Sequence, residues 1–426
     1  MSPTPPEAAP SLAASPSPAT RPVWIQRGSA DYWRVSAALF LAGFATFSLL
    51  YCVQPLLPEL AQDFAVSPAQ SALALSMSTG ALAVSIVLAG ALSEGLGRRS
   101  LMFTSMALAA LCNLLASFLP DWNALLAARA LEGLLLGGVP AVAMAYLSEE
   151  IDPKGLGFAM GLYVGGTALG GMLGRVGMSA MTEFWGWRQA LAALSVLDLL
   201  AALGFVWLLP RSRNFVKKTG LGARHHLQAW GQHLRHPGLP LLFLIAFGLM
   251  GVFVSIYNYA GFLLSASPYH LSQLQISHIF YAYLFGIVAS PLAGALADKL
   301  GRGPVLMAGT LLMAAGVALT LLAPLVAIVL GIVLMTAGFF VAHSVASGWV
   351  GRLAAQDKGH AASLYLWSYY MGSSVLGAGA GWFWSRWGWG GMGLVALAVL
   401  ALVIALAWRV QWLAAQAAKS RTVAGV

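Results

Sequence analysis

Twelve runs of about twenty predominantly apolar residues, separated by short breaks of Gly, Pro or charge, fill this chain from Arg34 to Trp412. A helix needs about 20 such residues to cross the hydrocarbon of a bilayer. Hydrocarbon offers backbone amides no partner, and no ten-residue alternating segments of the kind that close into barrels occur, so each run is expected to be helical. With 59% hydrophobic and only 9% charged residues, the chain cannot clothe a water-facing globule. The predicted fold class is all-α integral membrane. The spans fall at roughly 34–57, 68–93, 101–119, 122–147, 157–182 and 187–210, then 239–264, 274–297, 304–323, 325–350, 361–385 and 390–412.

The chain also repeats itself. GALSEGLGR at 90–98 returns as GALADKLGR at 294–302, and WGW at 185–187 returns at 387–389. Copies half a chain apart imply a duplicated unit, hence two pseudo-symmetric six-helix bundles. The bundles are expected at 34–210 and 239–412. A disordered, Pro-rich cytoplasmic tail is expected at 1–33, a basic cytoplasmic linker at 211–238 and a short cytoplasmic tail at 413–426. The linker carries six Lys or Arg, four His and no acid. Its HLQAWGQHL stretch suits an interfacial helix on an anionic leaflet. Without carboxylate or thiolate companions, His225, His226, His233 and His236 are read as part of a solvated linker, and no metal site is expected. The paired WGW motifs, with Trp382 and Trp384, read as an aromatic belt at the outer interface.

Basic residues are retained on the cytoplasmic side during insertion. An internal N-terminus puts every Lys and Arg there except Arg129, Arg175, Arg188 and Arg386, so both termini are expected inside. The net charge of +9 is thus a topology signal, and no water-exposed basic domain exists to bind nucleic acid. Cys52 and Cys112, the only cysteines, both fall inside spans, so no disulfide framework is expected.

In the first repeated motif, Gly90, Leu92, Ser93, Glu94, Gly97, Arg98 and Arg99, and in the second, Gly294, Leu296, Ala297, Asp298, Lys299, Gly301 and Arg302, follow a signature known from the major facilitator superfamily. The chain resembles that superfamily across 34–412. Glu94 stands for the usual Asp, Gly95 for a basic residue, and Gly303 for the final basic residue. The resemblance implies two cytoplasmic latches, Glu94 with Arg98 and Asp298 with Arg302, that hold the inner gate. The plain alternative is that these residues only set topology and tight turns. RALEGLLLGG, with Arg129, Glu132, Gly133 and Gly137, is similar to a further motif of the family. GTALGG is similar to its antiporter motif through Gly166, Gly170 and Gly171, with Thr167 where Pro is usual. Small residues at these positions let helices pack closely and pivot.

An ionisable side chain inside a span faces protein or water by default. Arg129 and Glu132 are three residues apart on one helix and can pair. Arg175 and Asp198 complete the intramembrane charge of the first half, and the second half offers only His343 in compensation. A carboxyl group removed from water carries a proton at neutral pH more readily than one in water, so Glu132 and Asp198 are the candidate proton carriers, paired with Arg129 or Arg175. His343 is a further candidate, or hydrogen-bonded packing. Gln54, Asn113, Tyr257, Asn258, Tyr281, Tyr365, Tyr369 and Tyr370 are candidates for lining a central cavity suited to an amphipathic organic molecule.

These features add up to an expected secondary carrier of a small organic solute, most similar to the bacterial drug and sugar efflux branch of the superfamily. It is expected in the inner membrane as a monomer, driven by protons. No GxxxxGK[ST] motif exists to bind nucleotide, so no cofactor is expected and no enzymatic role. The rivals are a proton symporter, a sensor with a carrier fold, and a membrane-embedded enzyme.

Overall fold

The computed structural model describes residues 24–214, 223–354 and 356–423, apart from the side chains of residues 90–96, 223 and 417–423. In the first half, α1 (Ala30–Tyr51) is followed by a 3-10 turn and by α2 (Leu57–Asp63), α3 (Pro68–Ser71), α4 (Leu73–Leu96) and α5 (Arg98–Ala116). The half is completed by α6 (Trp122–Leu136), α7 (Pro140–Glu150), α8 (Pro153–Trp185) and α9 (Trp187–Leu208). After α10 (Ala223–Arg235), the second half comprises α11 (Leu239–Ser265), α12 (Gln273–Ser277), α13 (Ala282–Leu300), α14 (Arg302–Thr320), α15 (Leu325–Leu353) and α16 (Lys358–Val423). Among the described residues, eleven helical stretches are long and apolar enough to cross a membrane.

The last of these makes two passes. At about 1.5 Å per residue, a straight helix of 66 residues would reach roughly three times the thickness of a bilayer core. It is broken at Gly388, where φ is 61° and ψ is −158°, a region open essentially to glycine alone. Both arms then pack on α11: a Cβ on Gly251 would meet Leu376, and one on Gly248 would meet Val399 and Val403. The twelve expected passes are thereby accounted for, as an all-helical fold of two pseudo-symmetric halves. The fourth pass is interrupted between α6 and α7 at Gly137–Val139, ahead of Pro140.

The duplicated motifs are duplicated in backbone geometry too. Gly97 and Gly301 have φ of 85° and 89°, and Gly186 and Gly388 have φ of 79° and 61°. Each stands where one helix ends and the next begins. Nothing lies within 4 Å of a Cβ on Gly97, so glycine is required there for its dihedrals and not for close approach.

Packing inside the halves repeats as well. A Cβ on Gly170 of α8 would land on the Phe44 backbone of α1, and one on Gly372 of α16 on the Phe247 backbone of α11. Gly166 and Gly174 meet Phe40 and Ser48 in the same row. On α6, Gly133 and Gly137 lie against Ser78 and Ser85 of α4, whose hydroxyls donate to Arg129 O at 2.9 Å and to Leu134 O.

Residues 25–33, which the expected boundary at residue 34 assigns to the tail, are built into the first half. Ile25 is buried and bonded through its backbone to Glu150 and Asp152, and Tyr32 Oη donates to Gly155 O at 2.8 Å. Residues 1–23, most of the expected tail, lie outside the described residues, as do 215–222 of the linker and 424–426 of the final tail. In the tryptophan motifs, only the first indole of each faces outward. Trp185 and Trp387 are exposed, whereas Trp187 donates to Asp63 Oδ2 at 3.1 Å and Trp389 to Thr320 O at 2.8 Å.

Candidate functional site

Three of the buried charged side chains of the first half, Arg129, Glu132 and Asp198, are gathered at one place. The Arg129 guanidinium donates to Ala74 O at 3.1 Å, Asn113 Oδ1 at 3.1 Å and Leu50 O at 2.9 Å, and it forms an ion pair with Glu132. Asn113 in turn donates to Ser195 Oγ at 3.1 Å. Asp198, one turn further along α9, is within electrostatic range of Glu132, and the thiol of Cys52 lies near all three charges. None of Arg129, Glu132 and Asp198 is exposed. Glu132 Oε1 has no hydrogen-bond partner among the described residues, and Asp198 has only the Ser48 hydroxyl within reach. One cation among two carboxyl groups is neutral when one of them holds a proton, and a neutral cluster is the state that burial favours.

Arg175 is elsewhere and is not paired with Asp198. It sits at the seam between halves, where Nε donates to Gln54 Oε1 at 2.6 Å and Nη1 to Gly171 O at 2.6 Å. Its guanidinium lies 4.2 Å from the Tyr51 ring centroid, 5.1 Å from Tyr283 and 5.3 Å from Phe280. No carboxylate lies within 4 Å of it among the described residues.

Gln54 then donates to Asn258 Oδ1 at 2.7 Å. These two residues belong to opposite halves of the chain, 204 positions apart, so this hydrogen bond joins the two halves directly.

Among the described residues, the other hydrogen bonds between the two six-helix halves lie at the same end. Ser374 Oγ donates to Ser76 O at 2.7 Å, Gln273 Nε2 to Pro55 O at 2.5 Å, and Leu274 N to Glu183 Oε2 at 3.1 Å. The face of α8 that carries Arg175 grades from open to shut along its length. Gly157, Gly161 and Val164 are exposed, Ala168 is intermediate, and Met172 and Arg175 are buried. This face of α8 is thus covered by the other half at Arg175 and left uncovered toward the end bearing the linker.

His343 belongs to the second-half wall. Its Nδ1 is 2.9 Å from Tyr365 Oη, and its ring stacks on Phe339 at 5.6 Å and packs on Tyr369 at 4.7 Å. Tyr257 bonds Thr336 Oγ1 at 2.8 Å, Tyr370 is buried against Tyr369, and Tyr281 is exposed.

At the linker end, Asp298 accepts from Arg302 at 3.2 Å and from Arg352 at 3.3 Å. Arg98 binds Glu149 through Nε and Nη2 at 3.1 and 2.6 Å. The side chains of Gly90 and Glu94 fall outside the described residues, and Gly294 has open space around it. Glu149 and Glu150, which the sequence reading passed over, organise this end. Buried Glu150 accepts from the backbone N–H groups of Arg213 and Asn214 at 2.9 to 3.0 Å, tying the start of the linker to α7. Two adjacent acids at the end of an apolar run were the available signal.

The family model described as Major Facilitator Superfamily matches residues 39–280 and 254–423. The chain belongs to the major facilitator superfamily. Among relatives in that superfamily, the Inner membrane transport protein YnfM of Escherichia coli (strain K12) is 46% identical over 354 residues, covering 83% of this chain and 85% of that one. The MFS-type transporter YybF of Bacillus subtilis (strain 168) is 42% identical over 355 residues, covering 83% and 87%. The crystal structure of the nucleoside transporter NupG (D323A mutant) shares the fold, with a TM-score of 0.73 at 14% identity over 88% of this chain and 99% of that one. As a major facilitator, the chain is an integral membrane transporter and not an enzyme.

Proposed function

We propose that this transporter exports a small organic solute across a bacterial inner membrane in exchange for protons, as a monomer working by alternating access. The observation that carries the reading is the one-ended seam: the halves are bonded through Gln54–Asn258 and its neighbours, while the face of α8 is left uncovered toward the linker. The basic residues concentrated at the linker end mark it as cytoplasmic, so the arrangement corresponds to a carrier loading from inside. In that arrangement Asp298 and Arg98 are engaged within their own halves, consistent with latches released from an inner gate.

Exchange with protons is supported by the buried cluster. Arg129, Glu132 and Asp198 need one proton for neutrality, and protonating Glu132 loosens its hold on Arg129, which also binds Leu50 O on α1 and Ala74 O on α4. Gly166, Gly170 and Gly171, similar to the family's antiporter motif, favour export over uptake. The test is solute-induced pH change in proteoliposomes over a compound panel, with Glu132→Gln and Asp198→Asn alongside the parent. Counter-movement of protons, lost in at least one variant, is expected. Full proton-linked flux in both variants refutes these coupling residues, and protons moving with the solute make the chain a symporter.

A further inference from the structure

Two guanidinium groups are almost wholly buried among the described residues, Arg129 and Arg175. The first has its carboxylate. The second, 1% exposed, is held by the Gln54 amide oxygen, the Gly171 carbonyl and the Tyr283 side chain, none of them anionic, although an uncompensated charge in this setting is costly. The second half supplies no acid that reaches it: from residue 239 onward the acidic residues are Asp298 and Asp357 alone. Both of these lie at the linker end, Asp298 with Arg302 and Arg352, and Asp357 just before α16. The cavity wall is therefore cationic at its closed end and free of acidic groups on its second-half side.

The rings around the guanidinium come from both halves. Tyr51 belongs to the first, Tyr283 and Phe280 to the second. Tyr369 lies close enough to Tyr51 and Tyr283 to share their electrostatic environment, and it continues the wall to His343. Such a wall accepts a flat apolar body, and the guanidinium at its end presents a planar fork that matches a carboxylate.

We infer that the transported solute is an organic anion, with one carboxylate or similar acidic group on an aromatic or otherwise planar body, and that Arg175 is its counter-ion. This rests on the carrier reading and names the substrate class for the same cavity. A solute entering past Gly157 and Gly161 meets Arg175 where the halves touch. Its anionic group competes with Gln54 Oε1 for the guanidinium, so binding loosens the Arg175–Gln54–Asn258 chain that joins the halves.

The full chain in lipid nanodiscs is dialysed to equilibrium against benzoate, 2-naphthoate and biphenyl-4-carboxylate, and against the amide and methylammonium analogue of each. At least one carboxylate is expected to bind about tenfold or more tightly than its amide, with the ammonium compound weakest. Arg175→Gln is expected to abolish the preference, and Arg175→Lys, which keeps the charge but not the fork, to retain part of it. Tyr283→Leu should weaken carboxylate and amide together, which reads out the wall separately from the charge. Equal binding of acids and amides throughout, or an undiminished preference in Arg175→Gln, overturns the inference. Carboxylate-selective binding without flux would sink the carrier reading and leave this site standing. Proton-linked flux confined to neutral or cationic compounds would do the reverse.

Discussion

At the scale of single residues, the cluster around Arg129 makes a stability prediction that separates holding the fold from coupling protons. Arg129→Met leaves two carboxyl groups with no cation and is expected to cost about 3–5 kcal/mol, as when one partner of a buried pair is removed. Arg129→Met combined with Glu132→Met is expected to recover most of that loss, since a buried pair replaced by apolar side chains is often neutral, while proton-linked flux stays absent. Thermal unfolding in detergent beside vesicle flux checks both parts, and a double variant no more stable than the single one contradicts the account. The Arg129–Glu132 pair was legible in the sequence because three residues on one helix suffice to make it. The separation of Arg175 from Asp198 was not, because it depends on how α8 and α9 are rotated against other helices. Asn113 as a ligand of Arg129 was hidden for the same reason: its helix, α5, is distant in sequence from neither span end nor motif, and only packing turns it inward.

Among the elements, the glycine rows of α8 and α16 predict which small residues tolerate a methyl group. Gly170→Ala and Gly372→Ala drive a Cβ onto backbone atoms of α1 and α11 and are expected to cost at least about 1–3 kcal/mol each, the range of overpacking. Gly161→Ala, on the same helix with nothing within 4 Å, is expected to leave the unfolding temperature unchanged. Equal effects at the three positions would contradict the packing described. The linker helix α10 carries a second prediction. His226 Nδ1 and His360 Nε2 are 2.9 Å apart, Trp230 donates to Ser363, and His233 Nε2 is 3.1 Å from Asp357 O. Two facing imidazole nitrogens hold at most one proton between them, and burial, with His226 beside it, lowers the pKa of docked His360, so the contact persists at high pH and is lost as pH falls below the ordinary histidine value of ~6.5 toward that lower one. Protease cleavage within residues 211–238 is expected to accelerate on acidification, and His226→Gln to flatten that dependence. The amphipathic character of α10 was readable from spacing, and its exposed Leu227 and Leu234 suit the interfacial position expected for it. Its docking on α16 was not readable, because His360 lies 134 residues away.

For the molecule as a whole, the sequence carried the number of passes and the duplication, since both are written in periodicity and in repeated motifs. Which end of the cavity stands open is a property of how two preformed halves lean on one another, and no local pattern encodes it. The Gln54–Asn258 contact supplies the test. With Cys52 and Cys112 replaced by Ala, Gln54→Cys with Asn258→Cys is expected to cross-link under mild oxidation, to stop flux while oxidised and to recover on reduction. Undiminished flux in the cross-linked protein would mean that the halves do not part there.

The duplication offset around the second WGW makes Gly377 the counterpart of Arg175, and Asn258 Nδ2 reaches Gly377 O at 3.5 Å where Gln54 is met by a guanidinium. A chain assembled from two copies of the first half would therefore set a pair of like charges facing one another at its centre, with no acid to separate them. With two non-identical halves in one polypeptide, one of the paired positions carries a guanidinium and the other no side chain, so this protein owns one cationic tooth at its centre where exact symmetry would impose two.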